Sequence, residues 1–119
     1  MERKYFFFDI DGTLAAGSAD LPVAERVPAS ALKALAELRA RGHFLALATG
    51  RLQVMAVDYL EQLGVVFGDA RNDLSMFVPE WTSIAMGNAV PELKARATYV
   101  TDPVDRDGLY NACRHFGWI

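Results

Sequence analysis

The sequence predicts a protein of the α/β class, a three-layer α/β/α sandwich around a mainly parallel sheet. Two observations support this prediction. Short, continuous apolar runs alternate with segments in which apolar residues recur every three or four positions. Several of the runs lead directly into Gly, Asp or Thr, which is typical of strands that end at the rim of a parallel sheet. With 119 residues, we expect a single domain over 1–119.

The first half of the chain is predicted to contain two strands and two long helices. The strands are continuous apolar runs, as expected for strands buried on both faces. The helices carry apolar stripes and end at Gly42 and Gly64. In order, the elements are a strand at Tyr5–Phe8, a loop at 15–28 with at most one helical turn, a helix from Pro28 to Gly42, a strand at Phe44–Ala48 and a helix from Leu52 to Leu63.

The second half continues the alternation with shorter elements. Pro91 suits the first turn of a helix, and Leu109, Ala112, Cys113 and Phe116 form the apolar stripe of a last helix. The predicted elements are a strand at Val65–Phe67, a short helix at Asn72–Phe77, a strand at Ser83–Met86, a helix at Pro91–Arg96, a two-residue edge strand at Tyr99–Val100 and that last helix.

Composition excludes several classes of protein. The net charge of −3 argues against a nucleic-acid partner, and no apolar run approaches the roughly 20 residues that cross a membrane. The single cysteine, Cys113, excludes an internal disulfide and fits the reducing cytoplasm. We expect Cys113 to be buried, and His43 and His115 to lie at the surface or at helix ends.

Acidic residues follow two of the predicted strands. Asp9 and Asp11 follow the first strand, Asp69 follows the third, and Asp73 comes one helical turn later. A single Asp at a strand end is commonly a turn or capping residue. Several carboxylates at one edge of a sheet repel one another unless a cation lies between them, and oxygen ligands suit Mg²⁺. The set therefore predicts a magnesium site.

Thr49 and Gly50 follow the second predicted strand and begin a helix. A hydroxyl and free backbone N–H groups at such a turn can bind a phosphate group. A Thr-Gly pair at such a turn is also common as a simple helix cap. The phosphate-binding interpretation is therefore supported only by the nearby acidic site. A divalent cation next to an anion site is the arrangement that phosphoryl transfer requires.

These segments resemble the haloacid dehalogenase (HAD) superfamily of phosphatases, in its Cof-type, IIB-like branch, which has a Rossmann-like core. The resemblance covers nearly the whole chain and keeps the order of the motifs. The segments Phe6–Leu14 and Phe67–Leu74 resemble the specific first and fourth motifs, and Ala48–Arg51 resembles the second. Further similar segments are Ala85–Ala89, Tyr99–Asp102 and Asp107–Gly108.

The resemblance implies a role for each site residue. Asp9 is implied as the nucleophile that forms an aspartyl-phosphate, and Asp11 as the general acid and base. Mg²⁺ is implied to bind the carboxylates of Asp9 and Asp69 and the backbone carbonyl of Asp11, with Asp73 orienting the site or reaching the metal through water. The implied phosphate ligands are Thr49 and the backbone amides of Gly50 and Ile10, together with Asn72.

The family's third motif, a lysine between the second and fourth motifs, is missing. The only lysines are Lys4, Lys33 and Lys94, all at other places in the order. Arg51 or Arg71 could substitute in part, although an arginine fork and a lysine point charge are not equivalent. By analogy with the removal of one oxyanion donor, we expect the absence of the lysine to lower the catalytic rate by a factor on the order of 10²–10³.

The family's middle region is missing too. Members of this branch carry a cap domain, a further strand and the lysine helix there, whereas here the two family-like halves meet near 64–65. Natural loss and deliberate excision give the same sequence, and the clean junction favours excision. The family sheet order is 5-4-1-2-3, so losing the third strand leaves the second at an edge. We expect dimerisation or domain swapping through that edge.

Two functions follow as expectations. The first is a Mg²⁺-dependent phosphatase acting on a small phosphorylated metabolite, weak and unselective because the cap and lysine are missing. The second is an inactive core that binds Mg²⁺ and phosphate. A receiver domain fits less well, since its phospho-acceptor would follow the third strand and a lysine the fifth. No Gly-x-Gly-x-x-Gly follows a strand, which argues against a dinucleotide-binding domain.

Overall fold

The computed structural model describes residues 3–17, 20–47 and 63–119. Five strands, four α-helices and two 3-10 helices occur in these ranges. In chain order they are β1 (Tyr5–Phe8), α1 (Val23–Arg26), α2 (Ala29–Ala40), β2 (Phe44–Leu47), β3 (Gly64–Gly68), a 3-10 helix (Arg71–Met76), β4 (Thr82–Ala85), α3 (Pro91–Arg96), β5 (Tyr99–Val100), a 3-10 helix (Val104–Arg106) and α4 (Gly108–His115).

The five strands form one parallel sheet in the order β2-β1-β3-β4-β5. Phe8 lies opposite Leu47 on one side and opposite Phe67 on the other, so three strands end at the same level. The segments that follow β1 and β3 therefore meet at one edge of the sheet. In the described part of the sheet β2 is an edge strand, as the sequence predicted.

Helices pack on both faces of the sheet, which confirms the three-layer prediction. Phe6 and Phe8 of β1 point into a core shared with α2 and α4. Phe7, between them, points into a second core shared with α3 and the first 3-10 helix. This alternation explains the unbroken aromatic run, because both faces of β1 are covered and neither face needs polar side chains.

Gly64 occupies a different position from the predicted one. We expected it to end a helix, but it is the first residue of β3 and pairs with Tyr5. The indole of Trp81 lies directly over its Cα, where a Cβ would collide with the ring. Trp81 also stacks on Phe7, with 5.1 Å between ring centroids. The close approach of the indole explains why the strand begins with glycine.

The other predicted elements agree with the structure to within one or two residues, and the loop at 15–28 contains the single turn α1. The helix predicted at Leu52–Leu63 lies outside the described residues except for its last position. Cys113 is buried, as predicted. No helix in the described ranges is long and apolar enough to span a membrane.

The prediction for His43 was wrong. The side chain is 5% exposed, its ring contacts the edge of Phe6, and its Nδ1 accepts a hydrogen bond from the backbone N–H of Lys4 at 3.0 Å. Burial, followed by the charges of Lys4 and Arg41, lowers the pKa of His43. The turn between α2 and β2 folds this ring onto the core, a contact that no local sequence pattern indicates. His115 is exposed at the end of α4, as predicted.

Candidate active site

Three carboxylates meet at the carboxyl end of the sheet. Asp9 follows β1 and its backbone N–H donates to the Phe67 carbonyl at 3.2 Å, which continues the strand pairing into the site. Asp69 follows β3, and Asp73 lies in the adjoining 3-10 helix. Asp9, Asp69 and Asp73 each offer an oxygen, and these oxygens lie within 4.8 Å of one another. The sequence predicted one acidic site from Asp9, Asp11, Asp69 and Asp73, and the structure brings three of these side chains, Asp9, Asp69 and Asp73, together.

Asp73 is held by the turn that it caps. Its Oδ2 accepts hydrogen bonds from the backbone N–H groups of Asp69 and Ala70, both at 3.1 Å. A Cβ at Gly68 would lie 2.8 Å from the Asp73 Cβ, so glycine is needed for this close approach. Asp73 is 7% exposed. The turn thus fixes the position of the Asp73 carboxylate.

The loop after β1 is closed by its own backbone. The N–H groups of Leu14 and Ala15 both donate to the Ile10 carbonyl, at 3.0 and 2.9 Å. The hydroxyl of Thr13, which is fully buried, donates to Asp69 Oδ1 at 3.2 Å. Thr13 thereby connects the first loop to the second. Thr13 belongs to the Asp-Gly-Thr segment, but nothing in the sequence indicated that its hydroxyl would contact Asp69.

Gly12 is the point of closest approach between the two loops. Its φ is +84°, and a Cβ there would collide with the carboxylate of Asp69. Both the backbone conformation and the neighbouring side chain therefore require glycine at this position.

We expect Gly12→Ala to destabilise the fold by roughly 2–4 kcal/mol, because it combines a left-handed backbone with a displaced Asp69. Gly17→Ala is the matched control, since Gly17 has φ +77° and nothing within 4 Å of a Cβ. That control should lose only about 1 kcal/mol. Urea unfolding of both variants measures the difference, and equal losses would mean that the contact with Asp69 has no energetic role.

The environment of the cluster disfavours three charged carboxylates. Burial, then the contact with Asp69 and its charge, raises the pKa of Asp9 to about 7. The backbone N–H of Ile10 donates to Asp9 and acts in the opposite direction. Burial is also the largest cause of the raised pKa values of Asp69 and Asp73. Without a counter-ion, part of this charge must be neutralised by protons.

This chemistry fits a hard divalent cation. All three donors are carboxylate oxygens, which Mg²⁺ prefers, and their mutual repulsion is relieved when a cation binds between them. Asp9, Asp69 and Asp73 could each offer one carboxylate oxygen to such a cation. A bound cation would also offset the burial and the repulsion that raise the pKa values of these carboxyl groups.

Asp11 differs from the other three acidic residues. Its side chain is 71% exposed and forms an ion pair with Arg26, with 2.9 Å between Asp11 Oδ1 and Arg26 Nη2. Its carboxylate is not one of the three that converge. Asn88 also contacts the loop after β1, which no sequence motif indicated. Its Nδ2 donates to the Gly12 carbonyl at 2.8 Å, and its Oδ1 accepts from the Val104 N–H. Arg26 and Asn88 are far from Asp11 and Gly12 in sequence, which is why no local motif identified them.

Of the other residues predicted for the site, the structure describes Asn72 and Arg71. Asn72 is exposed in the 3-10 helix beside the cluster. Arg71 pairs with Glu92 of α3, with 2.9 Å between Arg71 Nη2 and Glu92 Oε2. This exposed contact engages the guanidinium that could have replaced the family lysine. Thr49, Gly50 and Arg51 lie outside the described residues.

Comparison with known proteins decides the family. The sequence profile of the haloacid dehalogenase-like hydrolases matches residues 6–66 and 65–113 of this chain. The chain belongs to the haloacid dehalogenase-like hydrolases. The HAD resemblance of the motifs is thereby confirmed, and the aspartate cluster is formed by residues within the segments that resemble the first and fourth HAD motifs.

Individual relatives agree with this HAD assignment. A Bacillus subtilis protein named as the putative phosphatase YkrA is 55% identical over 53 residues, which are 44% of this chain and 21% of that protein. The chain therefore spans about a fifth of that relative's length. The HAD subclass IIB sugar phosphatase BT4131 shares the fold with a TM-score of 0.79 at 18% identity, over 98% of this chain and 100% of that one.

A second solved structure with this fold contains ligands. It is the 3-deoxy-D-manno-octulosonate 8-phosphate phosphatase from Moraxella catarrhalis, in complex with magnesium ion, phosphate ion and KDO. Its TM-score is 0.70 at 17% identity, over 95% of this chain and 84% of that one. At these identities the likeness establishes the fold.

Proposed function

We propose that this protein is a Mg²⁺-dependent phosphomonoesterase that acts through an aspartyl-phosphate. The observation that carries the proposal is the convergence of Asp9, Asp69 and Asp73 within 4.8 Å at the carboxyl end of the sheet. Membership of a hydrolase family and similarity to phosphatases support it. When bound, the cation would neutralise phosphoryl and carboxylate charge.

Asp9 and Asp11 divide the chemistry between them. An oxygen of Asp9 forms a bond to phosphorus as the ester oxygen–phosphorus bond breaks, and Asp11 donates a proton to the leaving alcohol. Asp11 then takes a proton from water, whose oxygen attacks phosphorus and releases inorganic phosphate from Asp9. Their environments suit these roles, since Asp9 is half-buried among carboxylates while the Asp11 side chain is exposed to solvent.

The phosphate ligands in this proposal come from three segments. The Ile10 N–H already points at Asp9, and Asn72 is exposed beside the cluster. Thr49 and Gly50 follow β2, whose end is level with that of β1. Both lie outside the described residues, and we propose them as phosphate ligands because the family resemblance implies that role.

We further propose that activity is weak and unselective, because the chain lacks the family's cap and lysine. The two profile matches meet at residues 65–66, next to the junction that the sequence indicates. The three lysines offer no replacement: Lys4 precedes β1 at the far end of the sheet, Lys33 lies over the ring of Tyr110, and Lys94 is in α3. The substrate proposed is any small phosphorylated metabolite.

Hydrolysis of p-nitrophenyl phosphate tests the proposal. We expect slow release of nitrophenolate with Mg²⁺ and none above background after EDTA treatment, with recovery when Mg²⁺ is restored. Binding of Mg²⁺ and phosphate without metal-dependent turnover would favour the alternative, an inactive core. That alternative is supported by the missing lysine and by the ion pair that holds Arg71 on α3.

We also propose self-association through β2. In the described sheet β2 pairs only with β1, and its side chains Phe44 and Leu47 are 42% and 53% exposed. An exposed apolar edge is a template for pairing with a second copy. Sedimentation velocity should reveal a dimer whose fraction rises with concentration.

A charge on that edge should prevent the association. We expect Leu47→Lys to give monomer at concentrations where the natural chain dimerises. Val100→Lys is the control, since Val100 is 42% exposed on β5 at the opposite edge. A monomer at every concentration, or equal effects of the two variants, would refute pairing through β2.

The compartment is proposed on chemical grounds. Burial raises the pKa of Cys113 to about 12, so this thiol is inert and forms no disulfide in the described structure. A chain that needs no disulfide is suited to the reducing cytoplasm, which is where we propose that it acts.

A further inference from the structure

Arg26 is a charged side chain buried beside the candidate active site. Its side chain is only 5% exposed, although an unpaired guanidinium is costly to bury. Nε donates to the Leu21 carbonyl at 3.0 Å, Nη1 donates to the Ala16 carbonyl at 3.5 Å, and Nη2 lies 2.9 Å from Asp11 Oδ1. The Arg26 carbonyl also accepts from the Ala16 N–H at 2.8 Å. Contacts with the surrounding loop thus hold the guanidinium in the orientation in which Nη2 contacts Asp11.

Asp11 has a fixed backbone and an unsupported side chain. Its backbone bridges to Ala15, and the next N–H, of Gly12, donates to the Ala15 carbonyl at 2.9 Å. At 71% exposure, packing does not select the side-chain rotamer. Within the described residues, the ion pair with Arg26 is the one polar contact of this carboxyl group. Arg26 therefore decides where the carboxyl group points.

We propose that Arg26 is a positioning residue for Asp11, which holds Oδ1 so that Oδ2 exchanges the proton with the leaving group and with water. The inference rests on the proposed function, because it takes Asp11 as the general acid and base. The contact suits both states of Asp11, since Oδ1 accepts the arginine's hydrogen bond in the carboxylate and in an acid protonated on Oδ2.

An arginine suits this task better than a lysine. Its planar guanidinium carries five N–H donors in fixed directions, so two backbone carbonyls can orient the group while a third direction serves Asp11. A lysine would supply the charge without the two fixing contacts. Arg26→Lys should therefore hold Asp11 part of the time, and Arg26→Met should not hold it.

Crystal structures of the natural chain and Arg26→Met test the positioning directly. We expect the Asp11 carboxyl group to occupy several rotamers, or a new one, in Arg26→Met, while Asp9, Asp69 and Asp73 stay in place. An unchanged Asp11 rotamer in that variant would overturn the inference, whether or not the protein hydrolyses phosphate esters. If Arg26→Met does not fold, the same comparison with Arg26→Lys decides, with two Asp11 rotamers expected.

Kinetics with two leaving groups provide a second test. An alkyl phosphate needs a proton on its leaving oxygen much more than p-nitrophenyl phosphate does, and general acids contribute about 10²–10⁴-fold. We expect Arg26→Met to lower kcat for glycerol phosphate about tenfold more than for p-nitrophenyl phosphate, with KM little changed and partial recovery in Arg26→Lys. Arg39→Ala, which removes an exposed arginine of α2, is the control and should change neither.

The two proposals fail in different ways. Equal losses of kcat for both substrates in Arg26→Met would mean that Arg26 only supports the fold, and would overturn the inference while leaving the phosphatase proposal intact. A natural chain that hydrolyses neither substrate would overturn the phosphatase proposal, whereas the crystallographic comparison would still decide whether Arg26 positions Asp11.

Discussion

Asp9→Asn should abolish metal-dependent hydrolysis, with kcat reduced by at least about 10³-fold, because the amide cannot form the covalent phosphoryl intermediate. The same variant should be more stable than the natural chain when no divalent cation is present. Asp9 is half-buried and its pKa is raised to about 7, so replacing it removes an unfavourable charge from the cluster. Opposite effects on activity and on stability are expected of a residue retained for its chemistry.

Asp105→Asn is the matched control. It changes the net charge equally, but Asp105 is exposed in the 3-10 helix Val104–Arg106 and lies outside the cluster. Nitrophenolate release and thermal unfolding in EDTA should be measured for both variants. If Asp9→Asn keeps metal-dependent turnover, Asp9 is not the nucleophile. If it also unfolds at a lower temperature than the natural chain, the carboxylate is structural.

Mg²⁺ should stabilise the protein much more at pH 8 than at pH 5. The folded-state pKa of Asp9, about 7, is above the value of about 3.9 for an unfolded aspartate, so the native state binds more protons between these values. Without a cation, stability is therefore greatest at low pH and falls as the pH rises toward 7. The cation competes with those protons for the carboxylates, so its stabilising effect should grow as the pH rises toward 7.

Thermal unfolding with and without Mg²⁺ measures this linkage. At saturating Mg²⁺ we expect a rise in Tm of roughly 5–10 °C at pH 8 and about 2 °C or less at pH 5, by mass action on a domain of this size. NaCl of matched ionic strength controls for screening. In Asp9→Asn most of the pH dependence should disappear. Equal rises in Tm at the two pH values would show that cation binding is not coupled to these carboxylates.

The strands and the cluster could be predicted because their signals are local. An unbroken aromatic run such as Tyr5–Phe8 fits only a strand covered on both faces, and the observed cores confirm this. Parallel strands bring the residues that follow them to one edge, so Asp9 and Asp69 had to approach each other. The order of residues along the chain was therefore sufficient to predict the strands and the approach of Asp9 to Asp69.

The contacts that were missed depend on tertiary packing. Arg26 lies within the segment 15–28, which the sequence predicted as a loop, and only the folded structure shows that its side chain contacts Asp11. Arg71 was considered as a partial substitute for the missing lysine, but its guanidinium pairs with Glu92, 21 residues away in sequence. Long side chains have several rotamers, and which partner they select depends on elements that are distant in sequence.

The position of Gly64 limits where a further domain could be inserted into this chain. Gly64 is paired with β1 and covered by an indole, so the boundary between the family-like halves lies inside a hydrogen-bonded strand. A domain grafted between Gly64 and Val65 would break β3 and expose Trp81. An insertion that leaves the sheet intact must therefore join the chain before Gly64. In that position β3, which leads to Asp69, keeps its first residue.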